Sequence, residues 1–447
     1  MISFALCALA FAVTFWAGRR SLGKGLVALL FFGYLYGIIR ANLLSSVTYF
    51  VFDLGVIGLY LSQFAFPSSG KVTEAAGTVK FWVLLLILWP LIVVFMPYQP
   101  LLVSLVGLRD TTFFIPMLIL GTRLREKDLT ELGYGMIGLN LIAVSFAAAE
   151  YFLGLPRFYP RNAVTQIIYA SFSAGDFYRI PATFINAHAY GGTMADSLPF
   201  LLALWNRSQK RIVRWLTILC MAVALLGVLM SAARLCFLMA AVVIVAALFT
   251  IRMSIGRRII FLLIIAGMGV VTMGNERLQR FKALGDTDFV TNRVAGSVNR
   301  GFWEILAEHP MGNGLGGGGT SIPAFLEGGI RNPIAIENEY ARILAEQGIV
   351  GLVSWLGFIV WFLTRAPVAF RKGSWDTGRR TGWCLSAFSV CTAWIGIGLF
   401  SSIPGTVMML LLMGWTAVPV AAELRTLRGQ RPVPAFGYGN ASAPSMT

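Results

Sequence analysis

The chain alternates long apolar stretches with short polar ones, and this alternation predicts its elements. A helix needs about 20 apolar residues to cross about 30 Å of hydrocarbon, and most of the apolar stretches are close to this length. A membrane β-barrel would instead need alternating strands of about ten residues. The pattern therefore predicts an all-α fold, a polytopic membrane helix bundle of about 12–14 transmembrane helices. We place the spans at 2–17, 25–39, 46–66, 81–97, 104–121, 133–153, 187–204, 214–230, 235–251, 258–274, 341–363, 382–400 and 403–422.

The composition also favours a membrane protein over a soluble domain. Hydrophobic residues make up 57% of the 447 residues and charged residues 13%. A soluble domain has about 45–50% apolar and about 25% charged residues. The five cysteines lie inside apolar stretches without zinc-binding spacing, and His188 and His309 are too far apart in sequence to form a metal-binding pair motif. We therefore expect no metal site and no cofactor.

The net charge of +16 would suit a nucleic-acid partner, but its distribution favours a membrane instead. Lysines and arginines cluster in every second polar segment, which is the positive-inside pattern. We therefore expect no nucleic-acid partner, an outer N-terminus and an inner C-terminus. The outer segments 154–186 and 275–340 are long and rich in aromatic, arginine and glycine residues, so we expect them to be folded. Residues 1–429 form the predicted membrane domain, and 430–447 form a disordered inner tail.

Several arginines lie at the predicted outer face. Arg234 ends a polar break between two spans, where it either reaches lipid headgroups or faces an anionic substrate. Arg293, Arg300 and Trp303 precede the glycine-rich segment 310–319. That segment is either a flexible loop or a nest of backbone N–H groups for an anion. Because guanidinium groups bind phosphate in a bidentate manner, several arginines near one loop suit a diphosphate.

A charged cluster opens the span at 341–363. Glu339, Arg342 and Glu346 lie on one helix face, and this spacing predicts a self-neutralising ion cluster. Glu337 and Asn338 precede the helix, where a carboxylate either caps the helix or acts as a general base. At the end of the earlier outer segment, His188 and Tyr190 lie near the interface. Aromatic residues there form the interfacial belt or stack on a sugar.

Five short motifs, taken in order, resemble the O-antigen ligase and polymerase superfamily of bacterial envelope glycosyltransferases. The resemblance covers residues 100–365. Each motif is weakly specific alone, and the series is more specific for the superfamily than for any member. The motifs are Gly107-Leu108-Arg109, Thr183-Phe184-Ile185-Asn186, Ser231 to Arg234, Arg300 to Trp303 followed by Pro310 to Gly316, and Asn338-x-Tyr340 with Leu344-Ala345-Glu346-Gln347-Gly348-Ile349-x-Gly351.

The resemblance implies a metal-independent glycosyltransferase at the periplasmic face of the bacterial inner membrane. Such enzymes transfer a glycan from a polyprenyl diphosphate carrier to a glycan or lipid acceptor. The partners that the resemblance implies are the lipid-linked glycan, the acceptor, the bilayer, a chain-length regulator and a flippase. The implied site residues are Glu337 and Asn338 for catalysis, Arg234, Arg300, Arg293 and Arg109 for the diphosphate, and Tyr340, Trp303, Asn186 and Tyr190 for the glycan or acceptor.

One position departs from the ligase pattern. Ligases of this superfamily carry histidine before the asparagine, whereas Glu337 stands in that place here. This difference favours a polymerase that joins lipid-linked repeat units of O-antigen, capsule or exopolysaccharide. A ligase that attaches a finished glycan to a lipid or protein is the first alternative. A flippase or other transporter of lipid-linked oligosaccharide is the alternative from another class, and it would show charged or helix-breaking positions near mid-span.

Overall fold

The fold is an all-α bundle, as the hydrophobic pattern predicts. Helices account for 76% of the computed structural model, and the described residues contain no β-strand. The structure describes residues 1–65, 74–171, 177–250, 255–274, 281, 287–296, 302–319, 322–334, 336, 338–373, 375–395, 399–400 and 402–419. The predicted tail at 430–447 lies outside these ranges.

The helices follow the polar breaks of the sequence closely. A 3-10 turn at Ser46–Phe50 and a π turn at Leu61–Ala65 extend α3 at its two ends. A 3-10 turn at Leu155–Arg157 follows α7. The helices are α1 Ile2–Arg20, α2 Leu22–Asn42, α3 Val51–Tyr60, α4 Glu74–Val93, α5 Leu101–Thr112, α6 Met117–Thr122, α7 Glu126–Leu153, α8 Gln166–Tyr169, α9 Ala187–Arg207, α10 Arg211–Met230, α11 Arg234–Thr250, α12 Ile255–Gly274, α13 Thr287–Ala295, α14 Trp303–Glu308, α15 Ala324–Glu327, α16 Glu339–Leu363, α17 Ala366–Ala369, α18 Asp376–Thr392 and α19 Gly405–Ala417.

Every predicted span falls on one or more of these helices. In the described part of the chain, eight spans are long and apolar enough to cross a membrane. The other predicted spans fall on α9, α11, α12, α18 and α19, of which α11 has 17 residues and α19 has 13. The chain is therefore a multi-pass membrane protein.

Helix α9 is the central helix of the bundle. Of its 21 residues, 17 are buried, and it packs against α7, α10, α11, α18 and α19. Small residues permit this close packing: a Cβ added to Gly191 would lie 2.4 Å from the Ser231 hydroxyl, and one added to Gly227 would lie 2.7 Å from the Tyr190 hydroxyl. Membrane helices approach each other through such small residues.

Helices α3, α5, α9 and α16 begin at the same end of the bundle, which we call the α16 face. At the end of α2, Gly37 packs on the backbone of Phe184, just before α9 begins. Asp53, near the start of α3, pairs with Arg109 on α5. On the same helix, Gly107 packs on the glycine-rich segment that contacts α16. These contacts bring the starts of the four helices together.

The segment 154–186 is folded against the end of α7 in its described part. The buried Tyr159 hydroxyl lies 2.7 Å from the carbonyl oxygen of Ala182 and 2.9 Å from that of Phe184. Burial raises the pKa of Tyr159 well above its ordinary value, so the hydroxyl keeps its proton. The Ala182 N–H donates to Glu150 on α7 at 3.0 Å. These bonds fix the chain immediately before α9.

Candidate functional site

Arg342 is the centre of a buried ionic network below the α16 face. Its guanidinium donates to Glu339 at 2.6 Å and to Glu346 at 3.2 Å, both on α16. This confirms the ion cluster that the sequence spacing predicts. Asp110 on α5 joins the cluster at 3.3 Å. Arg342 and its three partners are at most 3% exposed, so the cluster is inside the bundle.

Arg109 extends this network to α3. Its Nε donates to Asp53 at 2.9 Å, and a second bond joins its Nη2 to the other oxygen of the same carboxylate. Its Nη1 lies 3.7 Å from Asp110. We call Asp53, Arg109, Asp110, Glu339, Arg342 and Glu346 the ionic network. Arg109 already binds a carboxylate in a bidentate manner, and this contact joins α5 to α3. Its predicted binding of a diphosphate stays a prediction.

Helix α16 is interrupted within the membrane-spanning stretch. Gly348 has φ 67° and ψ −170°, a conformation that glycine adopts readily and other residues do not. The backbone groups around the break are bonded to the glycine-rich segment. The Asn313 N–H donates to the Ala345 carbonyl at 2.5 Å, and the Ile349 N–H donates to the Pro310 carbonyl at 2.9 Å. Such bonds are needed because lipid offers no partner to free backbone groups.

The glycine-rich segment 310–319 is packed rather than free. A Cβ on Gly107 would lie 2.3 Å from the backbone nitrogen of Gly316, so α5 and the segment are in direct backbone contact. The Gly318 N–H donates to Glu346 of the ionic network. The sequence offers two interpretations of this segment, a flexible loop and a backbone that binds an anion. The contact at Gly318 supports the second, and the anion bound there is the Glu346 carboxylate of the protein itself.

Two asparagines of the predicted site are helix caps at the α16 face. The Asn338 side-chain oxygen accepts from the Ala341 N–H at 2.7 Å and caps α16. The Asn186 side-chain oxygen accepts from the Ala189 N–H at 2.8 Å and caps α9. Asparagine is among the preferred residues at this position because its oxygen satisfies a free N–H of the first turn. Asn338 is fully buried, whereas Asn186 is half-buried.

The predicted glycan-binding aromatics differ in exposure. The Tyr340 hydroxyl donates to the Val390 carbonyl at 2.5 Å, and its ring lies 4.4 Å from that of Trp394. Tyr190 is also buried, and within the described residues its hydroxyl has no hydrogen-bond partner. Trp303, at the start of α14, is 56% exposed. Glycan binding by these residues stays a prediction.

The predicted cations are described to different extents. Arg234 is the half-buried first residue of α11. Two residues later, the Cys236 thiol donates to the His188 carbonyl on α9 at 3.5 Å, so α11 also begins at the α16 face. The side chain of Arg293, on α13, and all of Arg300 and Glu337 lie outside the described residues. Their predicted roles therefore stay predictions.

Sequence reasoning missed the acidic residues inside the spans. Asp53 and Asp110 complete the ionic network, Glu150 anchors the segment before α9, and Asp196 is buried in the middle of α9. A simple signal would have found them, because a carboxylate inside an apolar stretch is costly and usually has a partner or a function.

Sequence similarity does not place this chain in a family. No protein-family model matches it, and no curated protein is significantly similar to it. What the protein does must therefore be inferred from its own residues and from its short motifs.

Proposed function

We propose that the protein is a polysaccharide polymerase that joins polyprenyl-diphosphate-linked repeat units at the periplasmic face of the bacterial inner membrane. The observation that carries this proposal is the convergence of three helix starts on the α16 face. Asn186, Arg234 and Asn338 stand at the starts of α9, α11 and α16. They come from three of the five motifs that resemble the glycosyltransferase superfamily.

In the proposed reaction, an acceptor hydroxyl attacks the anomeric carbon of the donor glycan. The new carbon–oxygen bond forms as the bond to the diphosphate breaks, and the electron pair leaves with the diphosphate. The hydroxyl proton passes to Glu337. Because the leaving group is strongly anionic, cations already in place lower the barrier. Arg234 and Arg300 supply this charge, with Arg293 as a further candidate.

The ionic network has a separate part in this proposal. Arg342 and Arg109 are each bonded to carboxylates of the protein, so their charge is already compensated. They hold α3, α5 and α16 together directly below Asn338. A rigid support of this kind keeps reacting groups in position, which can contribute strongly to rate.

The decisive experiment uses the purified full-length chain in detergent with lipid-linked repeat units. A polymerase gives a ladder of longer glycans on the carrier. Arg234→Ala is expected to slow the ladder by about 100-fold or more, because one stabilising donor of a transition state is worth about 10²–10³ in rate. The matched control is Arg207→Ala at the opposite end of α9, which should leave the ladder unchanged. Wild-type rates in Arg234→Ala would contradict diphosphate binding.

The proposed base is tested by a pair of neighbouring carboxylates. Glu337→Gln should reduce the rate per folded molecule more than Glu339→Gln, because Glu339 is bonded to Arg342. Folding is checked in both by the thermal midpoint. If Glu339→Gln reduces the rate more than Glu337→Gln, Glu337 is not the base. The implied reaction needs no metal, so EDTA is expected to leave the ladder intact.

The same assay separates the ligase alternative. A ligase would consume finished glycan on its carrier and give a glycan joined to a second acceptor, without lengthening the repeat. In cells, loss of a polymerase leaves single-repeat product, whereas loss of a ligase leaves full-length product on the carrier.

A transporter of lipid-linked oligosaccharide is the second candidate, and two observations favour it. The break at Gly348 and the buried Asp196 both lie within helices of the bundle, and transporters often carry such features near mid-span. A transporter would move the lipid across a vesicle membrane and would leave glycan length unchanged in detergent. Chain lengthening in detergent therefore supports the polymerase, and movement without lengthening supports the transporter.

A further inference from the structure

Asp196 is a carboxylate deep inside the bundle. It is the tenth residue of α9, so it lies about 14 Å along the helix from the α16 face at about 1.5 Å per residue. It is only 3% exposed. An ionisable group at such a depth in a membrane bundle carries a large desolvation cost unless something compensates it.

Among the described residues, no side-chain cation compensates it. Asp196 Oδ1 has no hydrogen-bond partner among them. Tyr34 on α2 and Cys236 on α11 interact with it electrostatically, and neither can carry a positive charge. The Arg179 guanidinium interacts with the Cys236 thiol. No arginine or lysine of the described part pairs with it, unlike the acids of the ionic network. A full positive charge beside it must therefore come from outside these residues, or the carboxyl group must hold a proton.

Space for a small ligand lies beside the carboxylate. A Cβ built on Gly405, the first residue of α19, would have no contact shorter than 3.6 Å to Asp196 Oδ2 and 3.9 Å to Thr193 Oγ1. A methyl-sized volume is thus open between α19 and α9. Two oxygens of different chemical type, a carboxylate and a hydroxyl, border it.

Helix α18 carries further oxygens at this level. Gly378 and Gly382 pack against Ala203 and Pro199 of α9, which shows that the two helices are antiparallel. Continuing this register by one helical turn places Ser386 at the level of Asp196, with Ser389 beyond it. The hydroxyl oxygens of both serines are buried without a hydrogen-bond partner among the described residues.

We propose that Asp196, Thr193, Ser386 and Ser389 form a binding site for one sodium ion at the centre of the bundle, beside Gly405. A single carboxylate balances one monovalent charge, whereas a divalent ion would leave a buried positive charge uncompensated. Hard cations take oxygen ligands, and all four of these side chains supply oxygen. The bound ion links α9 to α18. This site is independent of the glycosyltransferase proposal.

The test is ion-dependent stability of the full-length chain in detergent. Thermal midpoints are measured in NaCl, KCl and choline chloride at equal ionic strength. Because a ligand that binds only the folded state raises stability with its concentration, the wild-type midpoint should rise with Na⁺ and then level off. Asp196→Asn should lose this rise. Asp128→Asn, at the opposite end of the bundle, removes a buried helix-capping carboxylate and should keep the rise.

Gly405→Ala is the sharper variant. Its added methyl group makes only ordinary contacts, so the protein should fold normally while the ion's space is filled. We expect the Na⁺-dependent rise to disappear in this variant also. An equal rise in all three salts would overturn the proposal, as would a rise that persists in Gly405→Ala. A midpoint that depends on pH but not on Na⁺ would show a protonated carboxyl group instead, and would equally overturn the sodium site.

Discussion

The bundle buries carboxylates in two different ways. In the ionic network, each of the four acids has a guanidinium within 3.7 Å, and the pairs connect α3, α5 and α16. Around Asp196, the described residues offer hydroxyl groups and an open space but no cation. The carboxylates of both regions are almost completely buried, so the difference lies in charge compensation rather than in exposure.

This difference separates structural charge from charge that serves a ligand. A buried ion pair is tolerated when geometry and hydrogen bonds are good, and it holds helices in register. A buried carboxylate without a counter-charge adds no favourable ion pair to the stability of the fold. The ionic network is therefore expected to behave as a scaffold, and Asp196 as a site whose energetics depend on the solution.

The largest expected effect comes from removing the centre of the network. Arg342→Ala leaves Glu339, Glu346 and Asp110 buried without their cation. We expect a loss of about 3–5 kcal/mol in the free energy of unfolding, the usual cost of breaking a buried pair from one side. Reversible unfolding in mixed detergent micelles measures it. Arg342→Lys keeps a positive charge and should lose less of this free energy. If wild type and Arg342→Ala unfold with the same free energy, the ionic network does not stabilise the fold.

The next effect concerns the break that lets the glycine-rich segment reach the network. Gly348→Ala forces a side chain onto a φ of 67° and places its Cβ 2.6 Å from the Met311 backbone. We expect a cost of about 1–3 kcal/mol from strain, and more if Met311 cannot move. Gly138→Ala on α7 is the matched control, since nothing lies within 4 Å of its Cβ. If the two variants unfold alike, the break is not required for stability.

A smaller effect is expected at the edge of the network. Asp53→Asn removes the bidentate partner of Arg109, which is 26% exposed and so partly solvated. We expect a cost of about 1–2 kcal/mol for this charged hydrogen-bonded pair. A double-mutant cycle with Arg109→Gln isolates the pairwise energy. A coupling energy near zero would mean that the two side chains contribute independently.

The smallest effect should come from the uncompensated acid. In sodium-free buffer, Asp196→Asn should change the free energy of unfolding by less than about 1 kcal/mol, because no buried partner is left unpaired. Asp110→Asn, equally buried but bonded to Arg342, is the contrasting variant and should cost more. If Asp196→Asn is the more damaging of the two, Asp196 has a counter-charge and the two regions do not differ as proposed.

Much of the fold was predictable because membrane helices obey a local rule. In the part of the chain that the structure describes, every apolar stretch long enough to cross hydrocarbon contains a helix, since each backbone group must bond within its own segment. The face shared by Glu339, Arg342 and Glu346 follows from helical periodicity alone, and so does the ion cluster that they form. The sequence also predicted a cap just before α16, but it gave this option to the Glu337 carboxylate, whereas the Asn338 side chain caps the helix.

The pairing of residues far apart in sequence was not predictable. Asp53, Arg109 and Arg342 lie on three helices, and nothing local shows that they meet. The glycine-rich segment gave two equal interpretations until its contact with α5 and its bond to Glu346 were known. Tyr340 resembled a glycan-binding aromatic by its motif, yet its hydroxyl bonds to α18 inside the bundle.

The sequence alone determined that this chain is an all-α membrane bundle, because hydrophobicity and helix length act residue by residue. Only the tertiary structure decided which buried charges are compensated and which backbone groups complete the break in α16. Those outcomes depend on how helices pack, and packing is a property of the whole chain rather than of any one segment.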